Sequence, residues 1–436
     1  MTVDAWKVAD PCACPTCGRE SCEDHLPPDA TSPLAQVEAI FARWIRDADR
    51  VPTRAVLAAY VANRKLGGDP VWLMLVGGSG VGKTERLTPL AVMPDVILES
   101  SISGPAALLS GTAKKERAKT ASGGILRKLP NGEGVLLLKD FTSIIDMHRD
   151  SRAEVLAALR EVYDGRWDRS VGTEGGLTLT WTGHLGLIAG CTTAIDTAHS
   201  VVSVMGTRFM LVRLQGDQNI AGSAFDHAGE ERQMREALRS AVRALLDRLP
   251  GTAYDKNDVR AHIIALARYV ALARSPVDRD NQGEIRLVLD PEAPTRIVKM
   301  LTQLWRASGL LGLPRADAWE LVQRVGMDSI PKLRRSVLDY LADCSTMLST
   351  TDISEHVGHP SRTTRRALED LVAHRVVVRL PGGQGNADCW ILSDQARLWL
   401  DQLTVPVSSA NTQSANALIE RKIPNDDITG KVASGA

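Results

Sequence analysis

The chain has 436 residues, 44% hydrophobic and 24% charged, with 52 Lys plus Arg balanced by 52 Asp plus Glu. Its length predicts two or three domains, and a composition near the globular average excludes wholesale disorder and a long coiled coil. Neutrality means that any nucleic-acid contact must come from local patches, and the lack of an apolar run of membrane-spanning length or of a basic-then-apolar leader predicts a cytoplasmic protein with no membrane partner.

The seven Cys divide unevenly: Cys12, Cys14, Cys17 and Cys22 crowd the N-terminus, whereas Cys191, Cys344 and Cys389 are scattered. The spacing Cys14-x-x-Cys17-x-x-x-x-Cys22-x-x-His25 offers three thiolates and one imidazole on a short loop, the donor set of a tetrahedral structural Zn2+ site, with Cys12 as a substitute ligand. A segment as small as residues 1–30 has little core of its own, so metal would fold it; the alternative is a reduced leader with incidental thiols.

After the linker Leu26-Pro27-Pro28, helically spaced apolar residues in LAQVEAIFARWI and RAVLAAYVA predict two helices over 33–65. The stretch VWLMLVGGSGVGKTERL, residues 71–87, then runs an all-apolar strand, Val71 to Val76, into a complete Gly-x-x-x-x-Gly-Lys-Thr loop. Gly77, Gly78, Ser79, Gly80, Val81 and Gly82 can fold tightly enough for successive N–H groups to point at phosphates. Lys83 then reaches the β/γ-phosphates as a point charge, and the Thr84 hydroxyl sits on Mg2+ at the start of the next helix. The cofactors this predicts are ATP and Mg2+.

Two further strand-like runs follow, Val96 to Leu98 and Val135 to Leu138, separated by a loop carrying Lys114, Lys115, Arg117 and Lys119. The second run ends LLLKDFTSI, which puts Asp140 where a carboxylate would hold Mg2+ or orient the attacking water, or else cap the next helix. SRAEVLAALREVY, 151–163, predicts an amphipathic helix with Ser151 as N-cap and Glu154 closing a capping box. A Gly-rich hairpin, VGTEGGLTLTWTG, leads into a strand over 185–190 that ends in Cys191-Thr192-Thr193, small polar groups placed beside the γ-phosphate. Val201 to Leu214 closes the sheet-forming region and carries Arg208, either an arginine that projects into a neighbouring subunit's nucleotide site or a surface ion pair.

Beyond the sheet, residues 228–248, 257–274 and 292–308 show helical periodicity, and 311–331 joins them to a separate C-terminal core. That core reads as a winged helix over 332–400: helices Lys332 to Ala342 and Thr351 to Val357, a recognition helix Ser361 to His374, and a wing from Val376 to Leu392. Ser361, Arg362, Thr363, Arg365 and Arg366 populate the start of the recognition helix, which reaches base edges and phosphates in such modules, and Arg379 sits on the wing. With Glu369 and Asp370 close by, the alternative is a protein-binding module whose arginines form a solvated face. From residue 404 to 436 periodicity is lost, predicting a disordered tail.

The order of these elements resembles a known family. From about residue 70 to 310 the chain is similar to AAA+ ATPases, above all to minichromosome-maintenance helicases and replication helicases of phages and mobile elements, on GGSGVGKT, SISGPAAL, GGIL before GEGVLLLKDFTSI, LIAGCTTA and MGTRF. The resemblance implies an α/β fold, a parallel P-loop sheet over 31–215 with a helical lid over 216–330, before a winged helix over 331–403. It also implies a homo-oligomeric ring, with Thr192 as the sensor-1 polar residue, Arg208 as the arginine finger and Arg296 as the sensor-2 arginine of a lid helix. Two departures stand out. The family's Asp-Glu pair is Lys139-Asp140 here, leaving Asp140 to do both jobs or Glu85 or Glu99 to supply the base, and the hairpin tip carries Glu174 where a translocating hairpin would carry Lys or Arg.

The function expected from the sequence is an ATP-dependent DNA-replication protein, helicase or origin-binding initiator, with duplex DNA on the winged helix and a single strand in the ring pore. The alternatives are a transcriptional regulator switched by ATP and an ATPase that remodels protein.

Overall fold

The computed structural model describes residues 32–45, 49–111, 123–172, 176–197, 208–216, 218–382 and 387–404. The Cys cluster, the basic loop, the tip residues 173–175 and the tail from 405 lie outside the described residues.

Two helices open the fold, α1 (Pro33–Ile45) and α2 (Val51–Lys65). The strands β1 (Trp72–Val76), β2 (Val96–Glu99), β3 (Glu133–Leu138), β6 (His184–Cys191) and β7 (Phe209–Arg213) form one sheet in the order β2-β3-β6-β1-β7, every pair parallel. The hairpin β4 (Arg166–Val171) and β5 (Leu177–Thr182) stands apart from it, just before β6. Short helices α3 (Lys83–Leu87), α4 (Pro105–Leu108), α5 (Thr142–Ile145) and α7 (Ala194–Thr197), and the long α6 (Arg149–Tyr163), fill the crossovers.

The central strand is apolar throughout because both of its faces are covered. Alternate side chains serve opposite cores, as a two-residue strand period requires: Leu73 and Leu75 join Val135, Leu137, Ile188 and Met210 under α1 and α2, while Trp72, Met74 and Val76 join Leu136, Leu187 and Phe209 over α6. Asn63, buried in α2, fixes the entry to β1 by donating to the Val71 carbonyl and accepting from the Val71 N–H, both at 2.9 Å.

Helices α8 (Gln218–Asp226), α9 (Glu231–Asp247), α10 (Arg260–Arg274), α11 (Thr295–Leu310) and α12 (Arg315–Asp328) follow. Between α10 and α11 lies a second hairpin, β8 (Val277–Arg279) and β9 (Ile285–Val288), that the periodicity did not reveal. The C-terminal unit comprises α13 (Lys332–Asp343), β10 (Leu348–Ser349), α14 (Thr350–Val357), α15 (Ser361–Ala373), β11 (Val377–Leu380), β12 (Cys389–Leu392) and α16 (Asp394–Thr404), a helix-turn-helix with a three-stranded wing.

Three expectations need correction. Ser151 lies inside α6, which begins at Arg149 after an extended His148, so the capping box is not formed there; one is formed at Ser349 and Asp352 ahead of α14. Residues 311–331 are not a bare linker: α12 covers the open edge of β7, where Ser329 Oγ accepts from Leu211 N at 2.9 Å and an Asp328 carboxylate oxygen from Arg213 N at 2.8 Å. These side chains satisfy the outward N–H groups of an edge strand, which otherwise invite pairing with another chain. The winged helix does not keep a separate core either, since Leu338, Ile353, Leu368 and Trp390 belong to the same apolar cluster as Leu73 and Leu75, and α16 packs on α10.

Candidate nucleotide site and helix-turn-helix surface

Beyond Val76 the chain leaves the sheet at the carboxyl ends of its strands, with Gly77 N donating to Cys191 O at 3.1 Å and Leu214 N to Val76 O at 2.8 Å. Gly80 and Gly82 take φ of 82° and 78°, the left-handed region that glycine enters without strain. Gly78, Ser79, Gly80 and Thr84 are exposed, while Val81, Gly82 and Lys83 are half-buried. The Lys83 ammonium is turned back on its own loop, donating to Gly77 O at 2.7 Å and Gly78 O at 2.5 Å. Burial holds its pKa below the ordinary lysine range, against the opposing pull of Cys191 and Asp140. Beneath the loop lies a residue the sequence reading passed over: buried Arg86 donates to Val81 O and Gly82 O, both at 3.2 Å, and its pKa is pushed down by burial to about 10.

β3 and β6 deliver the opposing wall. Phe141 N donates to Gly190 O at 2.7 Å, and a Cβ on Gly190 would lie 2.6 Å from Lys139 O, so the close approach of the two strand ends requires glycine there. Asp140 is exposed and accepts from Thr142 N at 2.9 Å, so it does serve the helix behind it. Thr142, also unforeseen, bridges the two loops: its Oγ1 accepts from Thr192 N at 3.0 Å and lies 3.2 Å from Thr192 Oγ1. Cys191 is buried next to it, its thiol pushed up by burial to about 11 and therefore neutral. Glu85 is paired with Arg235 at 2.8 Å and Glu99 with Lys128 at 2.8 Å.

The structure thus gathers Lys83, Thr84, Asp140 and Thr192 at one end of the sheet. It puts Arg208 and Arg296 at the other. Arg208 immediately precedes Phe209, which is in register with Trp72 at the amino end of β1, and is buried in an ion pair with Asp164 at 2.7 Å, its guanidinium 5.4 Å from the Tyr163 ring centre. Arg296, on α11, lines a cavity of about 660 Å3 that Asp69, Tyr163, Asp164, His184 and Lys299 also line. The length of β1 separates this pole from the glycine loop by about 16 Å, at ~3.3 Å per residue.

On the C-terminal unit, Thr364, Leu368 and Leu371 anchor α15 and leave Ser361, Arg362, Thr363 and Arg365 exposed and Arg366 half-buried. Arg365 meets Glu369 at 3.0 Å and Asp388 at 3.2 Å; Arg379 of the wing meets Asp388 at 2.7 Å and lies over Trp390. Among the described residues no group of three or more His, Cys, Asp or Glu side chains is disposed to hold a metal, and no helix is long and apolar enough to cross a membrane. The expected zinc ligands Cys14, Cys17, Cys22 and His25 lie outside the described residues.

Fold and surface together define a mixed α/β protein with a five-stranded parallel sheet and a C-terminal winged helix-turn-helix domain. Residues 336–381 match the family model of the IclR helix-turn-helix domain. No curated protein matches the chain. Among solved structures it is similar to the A form apo structure of the NrS-1 C-terminal region, at 10% identity over 82% of this chain and 75% of that one, with a TM-score of 0.22.

Proposed function

We propose that this chain is an AAA+-type ATPase that acts on DNA, a replication helicase or origin-binding initiator that binds duplex through its winged helix. The observation that carries the ATPase reading is the glycine loop at the carboxyl end of the central strand, facing Asp140 and Thr192 from the neighbouring strands, since ligands of open parallel sheets bind in the crevice outside those ends.

The residues fit a nucleotide triphosphate. Exposed glycines with left-handed turns leave backbone N–H groups open to phosphate, and Lys83, half-buried, forms no ion pair among the described residues and is held only by carbonyls of its own loop. Lys83 would compensate the β/γ-phosphate charge, Thr84 and Asp140 would hold Mg2+, and Thr192, braced by Thr142, would orient the attacking water. ATP, when bound, supplies the phosphoryl group and Mg2+ neutralises its developing charge. Arg208 and Arg296 share the far pole, so any role for them in turnover would fall on a neighbouring copy's loop, which is what supports reading the active form as a ring. The DNA contacts are assigned to Ser361, Arg362, Thr363, Arg365, Arg366 and Arg379, on the surface of the helix-turn-helix match. ATP hydrolysis by the purified chain, and its stimulation by single-stranded or duplex DNA, tests the reading; a chain with no DNA-responsive turnover sinks it.

One observation favours a second reading, an ATP-switched transcriptional regulator. Asp140 lacks an acidic neighbour, and the two alternative bases, Glu85 and Glu99, are engaged by Arg235 and Lys128. That site suits slow hydrolysis, and promoter footprints that depend on ATP binding but not on turnover would select it.

A further inference from the structure

The recognition helix α15 is only partly open on its outward side: Arg362 is exposed, whereas Arg366, Glu369 and Asp370 are half-buried. At about 100° per residue, Arg362, Arg366 and Glu369 lie roughly opposite the anchoring Thr364, Leu368 and Leu371, and this is the face a helix would present to a major groove. The β8–β9 hairpin sits on it. Arg279 of β8 reaches Asp370 at 2.6 Å, Glu369 at 3.3 Å and the Arg366 carbonyl at 3.0 Å. From the other direction, Arg362 and Arg366 both donate to the Gln282 carbonyl at the hairpin tip, at 3.4 and 3.3 Å. Between the hairpin and their own domain's Arg365 and Arg334, Glu369 and Asp370 keep only 24% and 17% of their side-chain surface.

The space does not allow duplex and hairpin together. A major groove about 12 Å wide and 8.5 Å deep just admits one helix of roughly 10–12 Å diameter, leaving no room for two strands on the helix's leading face. The tip is also of the wrong charge for DNA: Asp280 and Glu284 flank it, and the Asp280 carboxylate is built into the turn by accepting from Gln282 N and Glu284 N, both at 2.9 Å. Yet the hairpin is lightly held elsewhere. Every residue of β9 is exposed, with Leu287 53% and Val288 44% accessible, so little apolar burial opposes its release.

We propose that the β8–β9 hairpin is an autoinhibitory strap, which occupies the DNA-reading face of α15 and must swing away before that face engages a duplex. This rests on the reading of α15 as the DNA-contacting helix. Arg279 is the clasp, and because Asp370 also accepts from buried Arg334 at 2.8 Å, loss of Arg279 leaves no bare carboxylate in the domain.

The test uses the full chain and a mixed-sequence DNA duplex. Arg279→Ala, and separately replacement of residues 280–284 by an Asn-Gly turn, should each tighten duplex binding, roughly tenfold if the open form is about a tenth of the resting population. Hydrogen exchange across 277–288 in the parent should rise when duplex is added. Folded variants that bind duplex no better than the parent, or a hairpin whose protection is unchanged in the complex, overturn the strap. The combined change of Arg362, Arg365 and Arg366 to Ala separates the two levels. If it abolishes binding while the hairpin variants gain nothing, the strap alone fails; if it binds as the parent does, the DNA role of α15 fails and the strap with it.

Discussion

The hydroxyl of Thr142 accepts a hydrogen bond from the backbone N–H of Thr192 at 3.0 Å, tying the loop after β3 to the loop after β6. Two strand ends that carry the expected acid and polar groups are thereby held as one rigid wall opposite Lys83. Thr142→Val keeps the shape and removes the acceptor, leaving a half-buried N–H without its partner, a loss of about 1–3 kcal/mol. Urea denaturation should show that loss, and ATP turnover should fall with it, whereas Thr142→Ser should restore both. Parent-like stability and turnover in Thr142→Val would remove the brace from the mechanism.

Lys83→Ala should abolish ATP hydrolysis and leave the fold intact, because the ammonium's present partners are carbonyls of a loop that glycine geometry already shapes. Arg208→Ala should keep nucleotide binding and lose about 10³-fold in turnover if Arg208 acts as a finger. Because Arg208 also pairs with Asp164, Asp164→Asn reports the cost of the ion pair alone and should hydrolyse ATP nearly as the parent does. Mixing Lys83→Ala with Arg208→Ala subunits should recover some activity, one intact loop meeting one intact arginine across an interface. Verified mixed assemblies with no recovery would rule out a finger supplied by a neighbour.

For the N-terminal Cys14, Cys17, Cys22 and His25, elemental analysis of protein purified without chelating resin should find about one Zn2+ per chain, the content of a closed four-ligand site. Content far below that, unchanged by added Zn2+, would make the segment a reduced leader.

Changing Arg362, Arg365 and Arg366 together to Ala should weaken duplex binding and leave basal ATP turnover unchanged, since these side chains lie on α15, a helix with no part in the glycine-loop site. If they contact phosphates, the slope of log affinity against log salt should shrink by about 0.9 per lost contact, uniformly across sequences; if they read bases, discrimination between sites should collapse first. Unchanged affinity and slope would make the module a protein-binding one.

Local signals were legible wherever the chemistry is written in adjacent residues. The apolar run Trp72–Val76, the loop from Gly77 to Thr84 and the helix-turn-helix around Gly358 could be read because strand burial, glycine conformation and helix termini depend on near neighbours. Partners far apart in the chain were not readable: Thr142 with Thr192, Ser329 and Asp328 with the edge of β7, and Arg279 with Asp370 each join residues that only the folded chain brings together. The same holds for the separation of Arg208 and Arg296 from Lys83, because which pole of a sheet a residue occupies follows from strand direction and register. The sequence by itself determined the strands of the parallel sheet, the glycine loop after β1 and the second helix of the helix-turn-helix. Only the tertiary structure decided which side chains face one another, that the winged helix shares the core of the sheet, and that a hairpin lies across one face of α15, since long-range packing selects those contacts and no local pattern encodes them.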